Sequence, residues 1–200
     1  MTDESIFRVV TATLFVSALL ISVYHRHKAD RASEKVSWRD EGLPIIVLLR
    51  LSGFVAWLSV FTYLLNPRWM QWSSLNLPDW LRWFGAALGV ATLALLYWVF
   101  ISIGKNITPT VATRKDHQLV TGGAYAWVRH PLYSVGTLFF LALNLLVANW
   151  FVGLASLIGL TMILVRLPKE EASLIERFGD EYRAYMKCTG RLLPRINSPR

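Results

Sequence analysis

Gly123-Ala124-Tyr125-Ala126-Trp127-Val128-Arg129-His130-Pro131-Leu132-Tyr133 opens an apolar run that doubles back on itself and ends at Glu170-Glu171. An Arg-His pair stands before one apolar segment, and a Glu pair follows the next. Two spanning helices joined by a tight turn return the chain to the face it left, so these ionisable residues should converge on one membrane surface. A polar pocket at a lipid interface can be built that way.

Outward from this stretch the chain is apolar throughout. It has 200 residues, 54% of them hydrophobic, with nine Trp and a mean hydropathy of +0.40. That composition argues against a soluble domain and for a single all-α membrane bundle over residues 1–200. Five segments approach or exceed spanning length: 5–24, 43–65, 80–103, 132–148 and 150–167. Three spans therefore fill residues 1–103, and a second half, 104–200, carries the motif. Only Asn149 and its neighbours separate the last two segments, which predicts a helical hairpin. Asp3 and Glu4 precede the first segment and basic residues follow it, so it reads as a retained span and not a cleaved leader. The single cysteine, Cys188, allows no intramolecular disulfide.

Charge predicts orientation. Basic residues cluster after the first, third and fifth segments, as at Arg26, Arg39, Lys105, Arg129, Arg166 and Arg191, whereas the opposite face holds little beyond Arg8, Arg68 and Arg82. The positive-inside rule then places the N-terminus outside and the C-terminus in the cytoplasm, in keeping with an odd number of spans. A net charge of +8 is explained by this asymmetry and by anionic headgroups, and no nucleic-acid module accompanies it. Trp69, Trp72, Trp80 and Trp83 fall where two spans meet water, as an interfacial belt does.

Two stretches exceed what spanning needs. Residues 104–131 form a long connection with buriable Leu119, Val120, Tyr125 and Trp127, read as an ordered re-entry over the membrane face. From Lys169 onward, Ala172, Ile175, Phe178, Tyr182 and Tyr185 recur at helical spacing, which predicts an amphipathic helix closing over the pocket. His130, held out of helical geometry by Pro131, belongs at the mouth of the fourth span, where a capping role would look the same. Arg166 and Glu170 are one turn apart, as in an ordinary surface pair. Together, a cation and a carboxylate facing His130 and Tyr133 could hold a zwitterionic ligand and an acceptor carboxylate. The four histidines lack metal-ligand spacing, so no metal is expected, and there is neither a phosphate loop nor a nucleophile elbow.

These blocks resemble the isoprenylcysteine carboxyl methyltransferase family, over residues 108–194. The resemblance rests on His117-Gln118-Leu119-Val120, Gly123 and Tyr125, Arg129 to Tyr133, Arg166, and Glu170-Glu171 followed by Phe178-Gly179-Asp180-Glu181-Tyr182. It implies an integral membrane enzyme that uses S-adenosyl-L-methionine to methylate a prenylated or other lipidic acceptor. His117, Gln118, Leu119, Val120, Tyr125, His130, Pro131, Leu132, Tyr133 and Glu170 would line the cofactor pocket, and Arg166 would hold the acceptor carboxylate. Thr110 stands where the eukaryotic enzymes carry a Gln. A phospholipid N-methyltransferase is the main competing reading; there Glu171, otherwise a spare surface charge, would act as base. A sterol-type reductase and a non-catalytic lipid-binding protein rank below it.

Overall fold

Leucine, valine and alanine fill the five apolar runs, and in lipid such a backbone must satisfy its own hydrogen bonds, which selects helix. A computed structural model describes residues 3–31, 43–104 and 119–195. It contains α1 (Asp3–Arg31), α2 (Leu43–Leu65), a 3₁₀ turn (Pro67–Ser73), α3 (Asp79–Ile103), a second 3₁₀ turn (Gly123–Ala126), α4 (Pro131–Val147) and α5 (Trp150–Cys188). The architecture is all-α, as expected, with boundaries close to those read from sequence. Among the described residues four helices, α1, α2, α3 and α5, are long and apolar enough to cross a bilayer. With 17 residues, α4 rises about 25 Å, short of a hydrocarbon core of roughly 30 Å.

The expected amphipathic tail begins as a continuation of α5 as far as Phe178 and ends as a second, short helix beyond Gly179, the two together filling Trp150–Cys188. Pro168 removes one backbone hydrogen bond without ending the helix. Fully buried Leu167 and nearly buried Glu171 flank it and hold that stretch against the bundle. The axis breaks only at Gly179, whose φ of 55° lies outside helical values. Tyr182 and Tyr185 are buried and Ile175 and Phe178 half-buried, but Ala172 is exposed.

The α4–α5 turn is pinned by polar contacts. Ala148 takes the left-handed conformation at the end of α4. Asn149, 2% exposed, caps α5 by accepting from Phe151 N and Val152 N at 3.0 and 3.2 Å. Its amide donates to Met70 O at 3.1 Å and Ser73 Oγ at 2.8 Å, tying the hairpin tip to the first 3₁₀ turn. Trp69, Trp72, Trp80 and Trp83 are exposed around this end.

Arg82, read from sequence as a minor charge, crosslinks the same end. It is 8% exposed; its Nε and Nη2 donate to Leu146 O at 3.0 and 2.7 Å, and its Nη1 lies 2.8 Å from Glu4 Oε2. Tyr63 O–H donates to Glu4 Oε1 at 2.6 Å, and the guanidinium sits 3.9 Å above the Phe7 ring. One side chain from α3 thus engages α1 and a terminal carbonyl of α4, and through Glu4 reaches α2.

Arg82→Met should lower stability by about 3 kcal/mol, because it strands the Leu146 carbonyl and the Glu4 carboxylate together. Glu4→Gln, at the more exposed partner, should cost under about 1 kcal/mol. Chemical unfolding in detergent measures both, and equal effects would contradict the crosslinking role.

Candidate functional site

The site lies at the opposite end of the bundle, where α3 finishes and α4 begins. Gly123, at a φ of 60°, starts the second 3₁₀ turn. A Cβ there would sit 2.4 Å from Ser102 Oγ, so the close approach to α3 requires glycine. Ser102 Oγ accepts from Ala124 N at 3.1 Å, and Tyr185 O–H donates to Tyr125 O at 2.6 Å. The turn is thereby clamped between α3 and the end of α5.

The chain then enters α4 alongside the segment that follows α5. Arg129 N donates to Gly190 O at 2.8 Å and His130 N to Arg191 O at 3.1 Å, while Ser134 Oγ donates to Leu192 O at 2.6 Å. His130 is the backbone cap of α4, with Pro131 in its first turn, but its imidazole makes no capping hydrogen bond. A purely capping histidine is therefore ruled out, and the ring faces the carboxylates.

Glu171, expected to be a spare surface charge, is 3% exposed. It accepts from Arg129 Nε and Arg191 Nε, each at 2.9 Å, and Arg191 Nη2 also contacts it. Arg129 Nη1 donates onward to Met186 O at 3.2 Å and to Thr189 O. Glu170 accepts from Tyr133 O–H at 2.8 Å, and Arg166 Nε lies 4.0 Å from it. His130 Nδ1 stands 3.6 Å from Glu170 and its Nε2 3.5 Å from Glu171, ion-pair distances that leave Nε2 buried without a hydrogen bond. Burial opposes a charged imidazole, but the attraction of the nearby Glu170 and Glu171 carboxylates wins and holds the His130 pKa above its ordinary value. Burial, with the Tyr185 hydroxyl and Glu170 beyond it, pushes the Tyr125 hydroxyl well above the phenol range, so it stays neutral.

Polar contacts thus unite His130, Tyr133, Arg166 and Glu170, with Tyr125 in the electrostatic reach of Glu170. Buried Pro131 and half-buried Leu132 continue the wall. Leu119 and Val120 approach the turn half-buried and take no part in this polar set. His117, Gln118 and Thr110 lie outside the described residues. Sequence reasoning brings Arg129 to this surface beside His130 without giving it a partner, and misses Thr189 and Arg191. Arg129 carried a signal, its place beside His130; Arg191 carried none, because only the folded chain brings it to Glu171.

Tyr133 also lines a second space. A groove of about 450 Å³ runs between α2, α4 and α5, walled by residues such as Trp57, Phe140 and Leu160, with Arg26 and Tyr133 among its polar groups and Asn144 farther along α4. Ile163 belongs to its wall, and Arg166 follows three residues later. A polar cluster and an apolar groove meet at one tyrosine.

Because the His130 pKa is raised in the folded state, its ion pairs stabilise the protein fully below the unfolded value of about 6.5 and are lost as pH rises through the folded value. The difference in unfolding midpoint between wild type and His130→Gln should therefore shrink from acidic to alkaline pH. A constant difference would show that the ring contributes packing alone.

Residues 85–176 match the model of the isoprenylcysteine carboxyl methyltransferase family. Protein-S-isoprenylcysteine O-methyltransferase from Schizosaccharomyces pombe is 36% identical over 99 residues, covering 48% of this chain and 42% of the yeast protein. The Homo sapiens protein of that name is 32% identical over 128 residues, 62% of this chain and 45% of its own length. The chain thus spans less than half the length of these curated relatives. A solved structure of the eukaryotic intramembrane Ras methyltransferase, isoprenylcysteine carboxyl methyltransferase, shares the fold at a TM-score of 0.57 and 19% identity, covering 96% of this chain and 70% of that one. Over residues 85–176, which include the Arg129 to Tyr133 block and Glu170-Glu171, the chain is similar to the isoprenylcysteine carboxyl methyltransferase family.

Proposed function

We propose that this protein is an S-adenosyl-L-methionine-dependent methyltransferase acting on the carboxylate of an isoprenylcysteine-like or other lipidic acceptor at the membrane interface. The observation that carries this reading is Tyr133, whose hydroxyl is bonded to Glu170 in the polar cluster while its residue lines the apolar groove. A water-soluble cofactor and a lipid acceptor need such adjoining compartments.

The residues present fit the cofactor. Buried His130 Nε2 lacks a hydrogen bond, Glu170 offers a carboxylate to a cationic ligand, and Tyr125, Pro131 and Leu132 supply apolar surface. By the resemblance, His117, Gln118, Leu119 and Val120 would also contact the cofactor. When bound, S-adenosyl-L-methionine supplies an electrophilic methyl on a sulfonium. Arg166 orients the acceptor carboxylate through charge-assisted hydrogen bonds, which its planar fork suits. An ionised carboxylate is already a nucleophile, so positioning dominates and no general base is needed. Glu171 is ill-suited to serve as one, being committed to Arg129 and Arg191. That weighs against an amine acceptor, whose nitrogen must lose a proton.

Basic residues mark the site end as cytoplasmic, with α4 as a fifth, short span and the N-terminus outside. Reporter fusions at Asn76 and Gly122 should then fall on opposite sides of the membrane; placement on one side would overturn this topology.

Arg166→Ala should lose about 1.5 to 3 kcal/mol of acceptor contact, ten- to over a hundredfold in kcat/KM, and Arg166→Lys should fail nearly as badly. Calorimetric cofactor affinity should stay constant in both variants and collapse in the His130→Ala, Glu170→Ala double variant. Full activity of Arg166→Lys would remove the assigned role.

A further inference from the structure

The place where the groove meets the polar cluster poses an electrostatic problem. Arg166 Nε already lies 4.0 Å from Glu170 Oε2, so an acceptor carboxylate brought to Arg166 meets a like charge close by. The other cations of the cluster are committed. Arg129 and Arg191 are bonded to Glu171, and His130 stands between Glu170 and Glu171. An anionic head entering from the groove therefore needs a cation of its own.

The groove supplies one. Among the described residues that wall it, Arg26 is the one charged residue. It is also the one contribution from α1, the rest of the wall coming from α2, α4 and α5. Its neighbour fixes its height in the bundle. The His25 ring stacks on Phe100 at 5.3 Å and meets Tyr97 edge-on at 5.7 Å, which sets this part of α1 level with the end of α3, where Ser102 clamps the turn leading to α4. Arg26 thus stands at the Tyr133 end of the groove and not at the Asn144 end. An arginine near the end of a span ordinarily turns its head to the lipid headgroups. That account gives no reason for a residue of α1 to line a space built by three other helices.

We infer that Arg26 is a specificity-determining residue of the acceptor site, a second cation that selects a lipid with an acidic head over one with a neutral or basic head. This rests on the groove being the acceptor channel of the proposed methyl transfer. Arg166 orients the carboxylate, while Arg26 offsets the Glu170 charge as the head arrives and repels an ammonium in its place. Arg26 is exposed and acts here as a charge more than as a planar fork, so lysine can replace it. It lies outside residues 85–176, and the family match assigns it no role.

The test is calorimetric titration of the full chain in phosphatidylcholine nanodiscs, without cofactor, comparing N-acetyl-S-dodecylcysteine with its neutral carboxamide and subtracting empty discs. Wild type should bind the acid more tightly. Arg26→Met, which keeps the aliphatic stem, should weaken the acid about tenfold, the low end for a charge-assisted contact because the residue is exposed, and leave the carboxamide unchanged. Arg26→Lys should restore acid binding. Acid affinity unchanged in Arg26→Met, or acid and carboxamide weakened together, would overturn the inference. Arg166→Ala, titrated alongside, keeps the two arginines apart: a preference lost there and intact in Arg26→Met refutes the role of Arg26 and leaves the carboxylate reading standing. Acid bound no better than carboxamide by wild type would overturn both assignments.

Discussion

The buried Glu171 carboxylate is the constraint on which the site depends. Taking a carboxylate out of water costs several kcal/mol unless charge and hydrogen bonds replace the lost hydration. Arg129 and Arg191 supply them at 2.9 Å, with His130 at 3.5 Å. These partners come from the segment leading into α4 and from the segment after α5, so one charge draws both to a single place. With them comes the backbone pairing of Arg129 and His130 to Gly190 and Arg191. Glu170, one residue earlier, is thereby aimed at Tyr133 and His130. Two carboxylates sit side by side, and Glu171 is the more fully saturated of the two.

Buried polar groups are matched unevenly through the bundle. At one end, Asn149 uses its amide in both senses, and Arg82 meets a carboxylate, a carbonyl and an aromatic face. At the other, His130 Nε2 and Tyr182 O–H are buried with no hydrogen-bond partner among the described residues. Native proteins satisfy nearly all buried polar groups, so each such gap asks for a physical reason. The fold is fastened where the hairpin turns, though Arg8 Nε and Asn144 Oδ1 on that half are also buried without a hydrogen bond among the described residues.

Much of this was legible in the sequence because lipid makes it so. Apolar runs must be helices, and the expected 132–148 and 150–167 segments correspond closely to α4 and the first part of α5. Convergence of Arg129-His130 with Glu170-Glu171 followed from two helices and a short turn. Periodicity reports a buried face, and a separate surface helix shares that pattern with a helix that continues α5 and breaks at Gly179. The Glu4–Arg82 pair, 78 residues apart, and the Arg191–Glu171 contact were invisible for a different reason: each is chosen by packing, with no local spacing to announce it. Glu171 and Glu170 are chemically identical neighbours, and only burial separates their roles.

The most direct measurement is methyl transfer itself. Purified protein in nanodiscs, supplied with S-adenosyl-L-methionine tritiated in its methyl group, would be offered total lipid extract and a farnesylcysteine analogue. Carboxyl methylation yields an ester, so the account predicts label in a lipid-soluble product that base releases as volatile methanol. Label held in a base-stable N-methyl product, or no transfer to any acceptor by protein that binds the cofactor, would contradict it.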